Sequence, residues 1–313
     1  MTTEQTTRQH TNEQREIRIS KLDQIRALGY EPFGNRFEWD HTSGQIIENA
    51  DALEQSEEHV RLTGRIMIVR DHGKTAFLTI RDSVGDIQLY IRQDTVSEKE
   101  WQLFHLLDRG DILGVEGVVF RTHSGEVTVR VETYTILTKA LRPLPDKWHG
   151  LTDKEQRYRM RYVDLIMNPE VRKAFVTRTK MLAAIRQYYT ERGFLEVETP
   201  VLQPLYGRAF ISHLNALDMT MYLRIAPELY LKRLLVGGVD RNFEITRNFR
   251  NEGMDAKHNP EFTAMESYQA YGDIEDAIKQ TEDVVALCAQ IAHGSTRFMY
   301  EGIELDVTPP WPR

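Results

Sequence analysis

The amino-acid sequence predicts an α+β protein that consists of a β-barrel followed by a second domain with an antiparallel sheet flanked by helices. Residues 60–138 hold short alternating runs bounded by turn signals, whereas helical and strand patterns follow one another after residue 158. The 313 residues suffice for about two domains. We therefore divide the chain into an N-terminal tail and helix at 1–58, the barrel at 59–140, a linker at 141–157 and the second domain at 158–313.

The N-terminal part begins with a polar stretch, residues 1 to about 11, that we expect to lack regular structure. After it, apolar residues recur every three positions over 13–28, which predicts a helix. Basic residues lie on the same helix, and two interpretations of them stay open: a solvated face on a docked helix, or a face that contacts nucleic-acid phosphates. The basic residues are Arg15, Arg18, Lys21 and Arg26.

The barrel is predicted from five strand-like runs with a helical piece, Glu98 to Leu107, between the third and the fourth. Five strands with a helix in that place have the order of an oligonucleotide-binding barrel. Barrels of this kind read single-stranded bases by aromatic stacking and a few polar side chains. The predicted strands are 60–69, 76–80, 87–91, 112–120 and 127–131.

The second domain mixes long helical patterns with strand patterns that are mostly segregated from them, which favours an antiparallel sheet with helices packed on it. A proline-containing linker, Leu141 to Asp146, precedes it. The predicted helices are 172–191, 227–235 and 274–292, and the predicted strands are 194–199, 221–225, 242–250, 261–271 and 297–307.

Composition and charge exclude several classes of protein. No apolar run approaches the roughly 20 residues of a membrane span, and the polar N-terminus lacks the apolar segment of a signal peptide. Cys288 is the only cysteine, so no intramolecular disulfide can form, which fits the reducing cytoplasm. The formal net charge of -7 argues against indiscriminate nucleic-acid binding, although a local basic face remains compatible with it.

The strongest chemical signal is the stretch Phe249-Arg250-Asn251-Glu252-Gly253 followed by His258-Asn259-Pro260-Glu261-Phe262. It places a bidentate cation, a carboxylate, an imidazole and an aromatic ring close together in the chain. Such groups can hold a nucleoside triphosphate without a glycine-rich phosphate loop.

Taken together, these segments resemble the class II aminoacyl-tRNA synthetases, and within them the lysyl type, from about Glu13 to Arg313. Arg159 to Leu165, the long helix and the strand that ends at Pro200 are similar to motif 1, the dimer interface of the class. Phe249 to Glu252, with the downstream Phe262, is similar to motif 2. The segments 225–232 and 258–263 are closely lysyl-like.

The resemblance implies a reaction in which the carboxylate of L-lysine attacks the α-phosphorus of ATP, followed by transfer of the lysyl group to tRNA(Lys). It implies ATP and Mg²⁺ as cofactors, tRNA(Lys) and a second copy of the chain as partners, and a cytoplasmic location. Arg250 is the implied catalytic residue because its planar fork can hold the α-phosphate and the attacking carboxylate together. Positioning and charge stabilisation dominate such a step.

The implied substrate contacts extend from Arg250 to both ATP and lysine. For ATP, Glu252 accepts from the adenine amino group, Phe262 stacks on the ring, and His258 and Asn259 lie near the phosphates. For lysine, Glu228 binds the α-ammonium and Glu266 binds the ε-ammonium, with Tyr268, Arg250 and Gly207 beside them.

In the barrel, the resemblance implies that Phe77, Gln88 and Glu126 contact an anticodon uridine, with Arg65 as a neighbour. For Phe77 the alternative is an ordinary position in the barrel core.

The sequence departs from the family at two places. Gly207 to Phe210 is shorter than the family's Gly-Gly-Ala-x-Ala-Arg-Pro-Phe loop, and the motif 3 segment does not occur, so the family's magnesium ligands would lie beyond Arg313. We therefore expect this polypeptide alone to be inactive or nearly so, as a fragment, a truncated gene product or a paralogue. A non-catalytic tRNA-binding module and a synthetase of the aspartyl or asparaginyl type are the alternative functions.

Overall fold

The computed structural model describes residues 3–34, 36–145, 151–204, 210–255 and 257–313. Contacts within the chain divide it into two compact units, Met1–Val163 and Asp164–Arg313.

The first unit consists of one long helix, several short helices and a barrel. Its helices are α1 Thr3–Ala27, α2 Ser43–Glu48, α3 Ala50–Ser56, α4 Glu98–Phe104 and α5 Lys154–Arg159, and its strands are β1 His59–Asp71, β2 Thr75–Arg81, β3 Asp86–Arg92, β4 Ile112–Arg121 and β5 Val127–Thr138. Because α1 begins at Thr3, the expectation that residues 1 to about 11 lack regular structure is wrong for residues 3–11. Good helix formers such as Glu4, Gln5 and Arg8 continue the helix there.

The strands pair in the order β1-β2-β3-β5-β4, and β4 pairs with β1 again, so the sheet closes into a barrel. The helix α4 lies between β3 and β4 in the chain, which confirms the predicted oligonucleotide-binding arrangement. Side chains alternate along the strands between the interior and the outside of the barrel. Leu78, Ile80, Leu89 and Val129 point inwards and fill its core.

A buried ionic cluster holds the chain at the base of the barrel. The ammonium of Lys139 lies 2.6 Å from the carboxylate of Asp108 and 2.7 Å from that of Asp111, and the side chains of Lys139 and Asp111 are fully buried. From α1, Lys21 reaches Asp108 at 2.7 Å and Arg18 donates to the carbonyl of Ala140 at 2.7 Å. These two basic residues of α1 therefore dock the helix onto the barrel.

The second unit begins within α6, Arg161–Met167, and contains three small sheets. Its remaining helices are α7 Pro169–Glu191, α8 Glu228–Val236 and α9 Ile274–His293, and its strands are β6 Leu195–Glu196, β7 Leu202–Gln203, β8 Ile211–Leu214, β9 Met219–Leu223, β10 Arg241–Phe249, β11 Glu261–Gln269, β12 Arg297–Tyr300 and β13 Ile303–Asp306. The sheets have the orders β11-β10-β6, β7-β9-β8 and β12-β13.

Two predicted strands differ from the structure. Only Leu195 and Glu196 of the predicted strand 194–199 pair, and they do so parallel to β10, unlike the antiparallel pairs of the rest of the sheet. The predicted strand 297–307 is a hairpin, because Glu301 and Gly302 adopt φ values of 48° and 83° and turn the chain.

The long antiparallel pair β10–β11 has an apolar face that packs on α7 and α9. Phe243 is fully buried against Tyr189 and Phe194, with Ile245 and Met265 beside them. This packing anchors one face of the pair and leaves the other face for polar side chains.

No helix among the described residues is long and apolar enough to cross a membrane.

The Lys139 cluster allows a stability test. Lys139→Met leaves the buried carboxylate of Asp111 without its cation, whereas Asp108 keeps Lys21, so we expect it to lower the free energy of unfolding of the barrel by about 3 kcal/mol. Adding Asp111→Ala to this variant removes the unpaired buried charge and should cost less than the sum of the two single changes. Lys21→Met, in a part-exposed pair, is the control and should cost about 1 kcal/mol or less. Urea denaturation followed by circular dichroism measures the stability of the three single variants and the double variant. A loss below about 1 kcal/mol for Lys139→Met would contradict the stabilising role of the buried ion pair.

Candidate functional site

The register of β10 and β11 gathers the predicted residues on one face of the sheet. Residues paired directly across antiparallel strands point to the same side. Glu244 pairs with Glu266 and Asn248 with Phe262, so these side chains lie opposite the apolar face. Arg250, one residue past β10, continues the same row.

Arg250 and Phe262 form the first part of the site. The guanidinium of Arg250 lies over the Phe262 ring, 5.2 Å from its centroid, and the Arg250 N–H donates to the carbonyl of Pro260 at 2.9 Å. The Arg250 side chain is exposed and the Phe262 side chain is half-buried. The stack presents a planar cation and an aromatic ring to solvent, a combination that suits phosphate and adenine.

Glu266 and Tyr268 form the second part. The Tyr268 hydroxyl donates to Glu266 Oε2 at 3.0 Å, which fixes the carboxylate. Burial raises the pKa of Glu266, and the nearby charges of Glu228 and Glu244 raise it further, whereas Arg250 opposes them. The pKa of Tyr268 is also raised, first by burial and then by Glu266. A half-buried carboxylate among other carboxylates favours a bound cation.

A buried ion pair, Arg224 with Glu244, lies on this face and was not found from the sequence. Arg224 Nη1 lies 2.7 Å from Glu244 Oε1, and the Thr199 hydroxyl donates to Glu244 Oε2 at 2.7 Å. Both charged side chains are almost completely buried. The alternation of β10 places Glu244 on the polar face, but its partner, 20 residues earlier in the chain, left no local signal.

Arg224 also connects the segments that carry the other site residues. Its carbonyl accepts from the Phe249 N–H at 2.9 Å, next to Arg250, and its own N–H donates to Val201 at 2.9 Å. Glu228 follows four residues later, in the first turn of α8. The backbone of Arg224 thus holds the strand next to Arg250, and its guanidinium binds Glu244, which pairs across the strands with Glu266.

Glu228 is half-exposed and pairs with Lys232, whose ammonium lies 2.6 Å from the carboxylate and 5.8 Å from the centroid of the Tyr268 ring. A cation of the chain itself therefore occupies the group predicted to bind the α-ammonium of lysine. An exposed pair of this kind contributes little, so a substrate can replace Lys232 at low cost.

The loop between β10 and β11 carries the remaining predicted ATP contacts, all exposed. His258 Nδ1 lies 2.8 Å from Asp255, which also accepts the His258 backbone N–H at 2.8 Å. Hydrogen bonds from the backbone of Lys257 and from His258 lower the pKa of Asp255. This turn engages Nδ1 of His258, and Nε2 has no bond to any of the described residues. Glu252 and Asn259 lie exposed in the same loop. Gly207 lies outside the described residues.

No group of three or more His, Cys, Asp or Glu side chains in the described ranges could hold a metal ion. These residues do not by themselves form a site for Mg²⁺, which in proteins commonly combines one or two carboxylates with substrate phosphates.

In the first unit, the outer face of β2, β3 and β5 carries the predicted base contacts. Phe77 pairs with Tyr90, and their rings lie 4.8 Å apart, so Phe77 is outside the barrel core. Gln88 lies on the same face, two residues before Tyr90, and Glu126 is exposed in the turn before β5.

Arg65 does not lie beside Phe77. It pairs with Arg81, four residues further along β2, which corresponds to roughly 13 Å, and it donates to the carbonyl of Gly110 at 2.8 Å. The residue directly opposite Phe77 is Arg70, which the sequence analysis missed. The bulge between Ile66 and Ile68 changes the register of β1 and made this pairing unpredictable.

Two family models match the chain. The model for "tRNA synthetases class II (D, K and N)" covers residues 153–313, and that for "OB-fold nucleic acid binding domain" covers residues 60–137.

Curated relatives cover both units. Lysine--tRNA ligase of Pelotomaculum thermopropionicum is 53% identical over 96% of this chain and 60% of the relative. The proteins of the same name from Carboxydothermus hydrogenoformans and Syntrophomonas wolfei are 50% and 51% identical over 97% and 96% of this chain, and over 63% and 62% of their own lengths. The chain thus spans about 60% of the length of these relatives. With its family model matched over about half of its length, the chain belongs to the class II tRNA synthetases of the D, K and N group.

Proposed function

We propose that this chain provides the lysine-, ATP- and tRNA(Lys)-binding surfaces of a lysine–tRNA ligase. The observation that carries the proposal is the group of carboxylates on the β10–β11 face, where the Tyr268 hydroxyl holds Glu266 and no cation of the chain is bonded to Glu266 among the described residues. Relatives about half identical to the chain are named lysine--tRNA ligases, which supports the same substrate.

The charge of these carboxylates distinguishes aspartate, lysine and asparagine, the amino acids of the D, K and N group. All three amino acids carry the α-ammonium that Glu228 would bind, so their side chains make the difference at Glu266. The side-chain carboxylate of aspartate would meet the like charge of Glu266, and the amide of asparagine would leave Glu266 without a counterion. Lysine carries an ammonium for each carboxylate. Glu244, already neutralised by Arg224, does not add to this demand.

Arg250 is the residue that we propose to act on the reacting atoms. Its exposed guanidinium, held over Phe262, can bind the α-phosphate and the lysine carboxylate together, which brings the attacking oxygen to the phosphorus. The carboxylate is already ionised, so the step forms the oxygen–phosphorus bond of lysyl-adenylate as pyrophosphate leaves, without a general base. Phe262 and Glu252 would hold adenine, and His258 and Asn259 would lie along the phosphates.

The proposal includes Mg²⁺ bound with ATP, a cytoplasmic location and a homodimer. Exposed apolar side chains on α7 and β6, among them Phe175, Val176 and Leu195, suit an interface in the region of motif 1.

For the barrel, we propose that Phe77 stacks on an anticodon base, with Gln88 and Glu126 at its polar edge. Arg70, opposite Phe77, replaces Arg65 as the basic neighbour that would contact a phosphate.

Binding of amino acids to the 1–313 chain tests the proposed substrate. Titration calorimetry should detect lysine binding and no binding of aspartate or asparagine at the same concentrations. Glu266→Gln keeps the shape of the side chain and removes its charge, so we expect it to weaken lysine binding roughly tenfold to a hundredfold. Glu261→Gln, on the opposite face of β11, is the matched control and should leave the affinity unchanged. Equal binding of asparagine and lysine would refute the substrate assignment.

Lysine binding should also depend on pH through Glu266. Only the ionised carboxylate attracts the ammonium, and burial raises the Glu266 pKa, so the affinity should fall as the pH is lowered through that raised pKa. The fall should begin at a higher pH than the ordinary glutamate pKa of about 4.3 would give. Calorimetric titrations across the acidic range measure it, and Glu266→Gln should flatten the profile. A wild-type profile equal to that of Glu266→Gln would contradict the role of this carboxylate.

Anticodon binding gives a separate test of the barrel. Phe77→Ala should lower the affinity for an anticodon stem–loop of tRNA(Lys) by about tenfold, because stacking contributes roughly 1–3 kcal/mol per base. Fluorescence anisotropy with a labelled stem–loop measures it, and Phe33→Ala, an exposed phenylalanine outside this face, is the control. Retained RNA binding without lysine binding by the same chain would instead favour a tRNA-binding module.

A further inference from the structure

A hydrogen-bond relay on the outer face of the barrel fixes the orientation of the Gln88 amide. Gln88 pairs with Thr128 between β3 and β5, and its Nε2 donates to the Thr128 hydroxyl at 3.0 Å. The same hydroxyl donates to the carbonyl of Glu126 at 3.1 Å. Gln88 is 6% exposed and Thr128 is fully buried, so water does not compete freely for these bonds.

The direction of the relay follows from the last acceptor. A backbone carbonyl can only accept, so the single hydroxyl proton of Thr128 is committed to Glu126. The Thr128 oxygen must then accept from Gln88, and this requires the NH₂ group of the amide. If the amide turned over, two acceptor oxygens would face each other in a buried place, which is unfavourable.

The relay leaves the Gln88 carbonyl oxygen, Oε1, for a ligand. This atom has no hydrogen-bond partner within the part of the chain that the structure describes. A carbonyl oxygen next to a stacking ring accepts from a base that carries a proton on its ring nitrogen. Uracil has such a proton at N3, whereas cytosine has a lone pair there, which would repel Oε1.

We infer that Thr128 is a positioning residue that sets the preference of the barrel for uridine over cytidine by orienting the Gln88 amide. The inference rests on the proposed binding of the anticodon and adds to it the residue that determines which base edge Gln88 accepts. Thr128 itself touches no base.

The test measures the affinity of the 1–313 chain for anticodon stem–loops in which each anticodon uridine is replaced in turn by cytidine. At the position that Gln88 reads, wild-type chain should prefer uridine by at least about tenfold. Thr128→Val keeps the shape and removes the relay, so the amide can turn over and the preference should fall about tenfold, towards equal binding. Thr128→Ser keeps the hydroxyl and is the matched control, with the preference retained. A Thr128→Val chain with the full wild-type preference would overturn the inference.

A second variant tests whether residue 88 accepts from the base, and it does so without substituting Thr128. Gln88→Glu places an acceptor oxygen towards the base whichever way the side chain lies, so the uridine preference should survive. Preference for cytidine in this variant and loss of uridine binding would show that Gln88 normally donates to the base, which also overturns the inference. Failure of the wild-type chain to bind any stem–loop would refute the proposed anticodon function itself. If Thr128→Val binds with an unchanged ratio of uridine to cytidine affinity, only the role of Thr128 is refuted.

Discussion

The antiparallel pairing of β10 with β11 is the constraint on which the candidate site depends. Successive side chains of the two strands point to opposite faces. One face is apolar and packs through Phe243 on α7 and α9, and the other is polar and carries Glu266 and Phe262. A shift of one residue in this register would exchange the two faces and bury the carboxylate in the apolar cluster. The core packing of the second unit and the position of the charged groups are therefore fixed by the same hydrogen bonds.

The buried Arg224–Glu244 pair explains how two carboxylates, Glu244 and Glu266, can lie side by side on that face. Two carboxylates directly opposite each other, as in Glu244 and Glu266, repel unless one is neutralised. Arg224 neutralises Glu244, and Thr199 occupies its second oxygen, so Glu266 is the carboxylate of this opposed pair that remains to attract a cation. A buried ion pair of this kind is costly to desolvate and is weak evidence for stability. Because the pair lies beside Glu266 on the same face, it is better explained by its effect on the charge of the site.

Short sequence patterns predicted the strands and the residues of the site that depend only on neighbours in the chain. The alternation 242–250 and 261–271 identified both strands of the site, and Arg250, Phe262 and Glu266 do lie on one face. Long-range partners were not predictable, because nothing near Glu244 in the sequence indicates Arg224. The same limit applies in the barrel: Phe77 was named, but a bulge in β1 shifts the register by one residue and places Arg70, instead of Val69, opposite it.

The two units use polar groups in the same way, although their ligands differ. On the β10–β11 face, Tyr268 donates to Glu266 and leaves the carboxylate charge to be satisfied by a cation. On the barrel, Thr128 accepts from Gln88 and leaves a carbonyl oxygen to be satisfied by a base proton. In each case a hydroxyl fixes one atom of the side chain, and the free atom determines what binds. Selectivity then comes from the cost of leaving that atom unsatisfied with the wrong ligand, which is larger than the gain from a single added hydrogen bond.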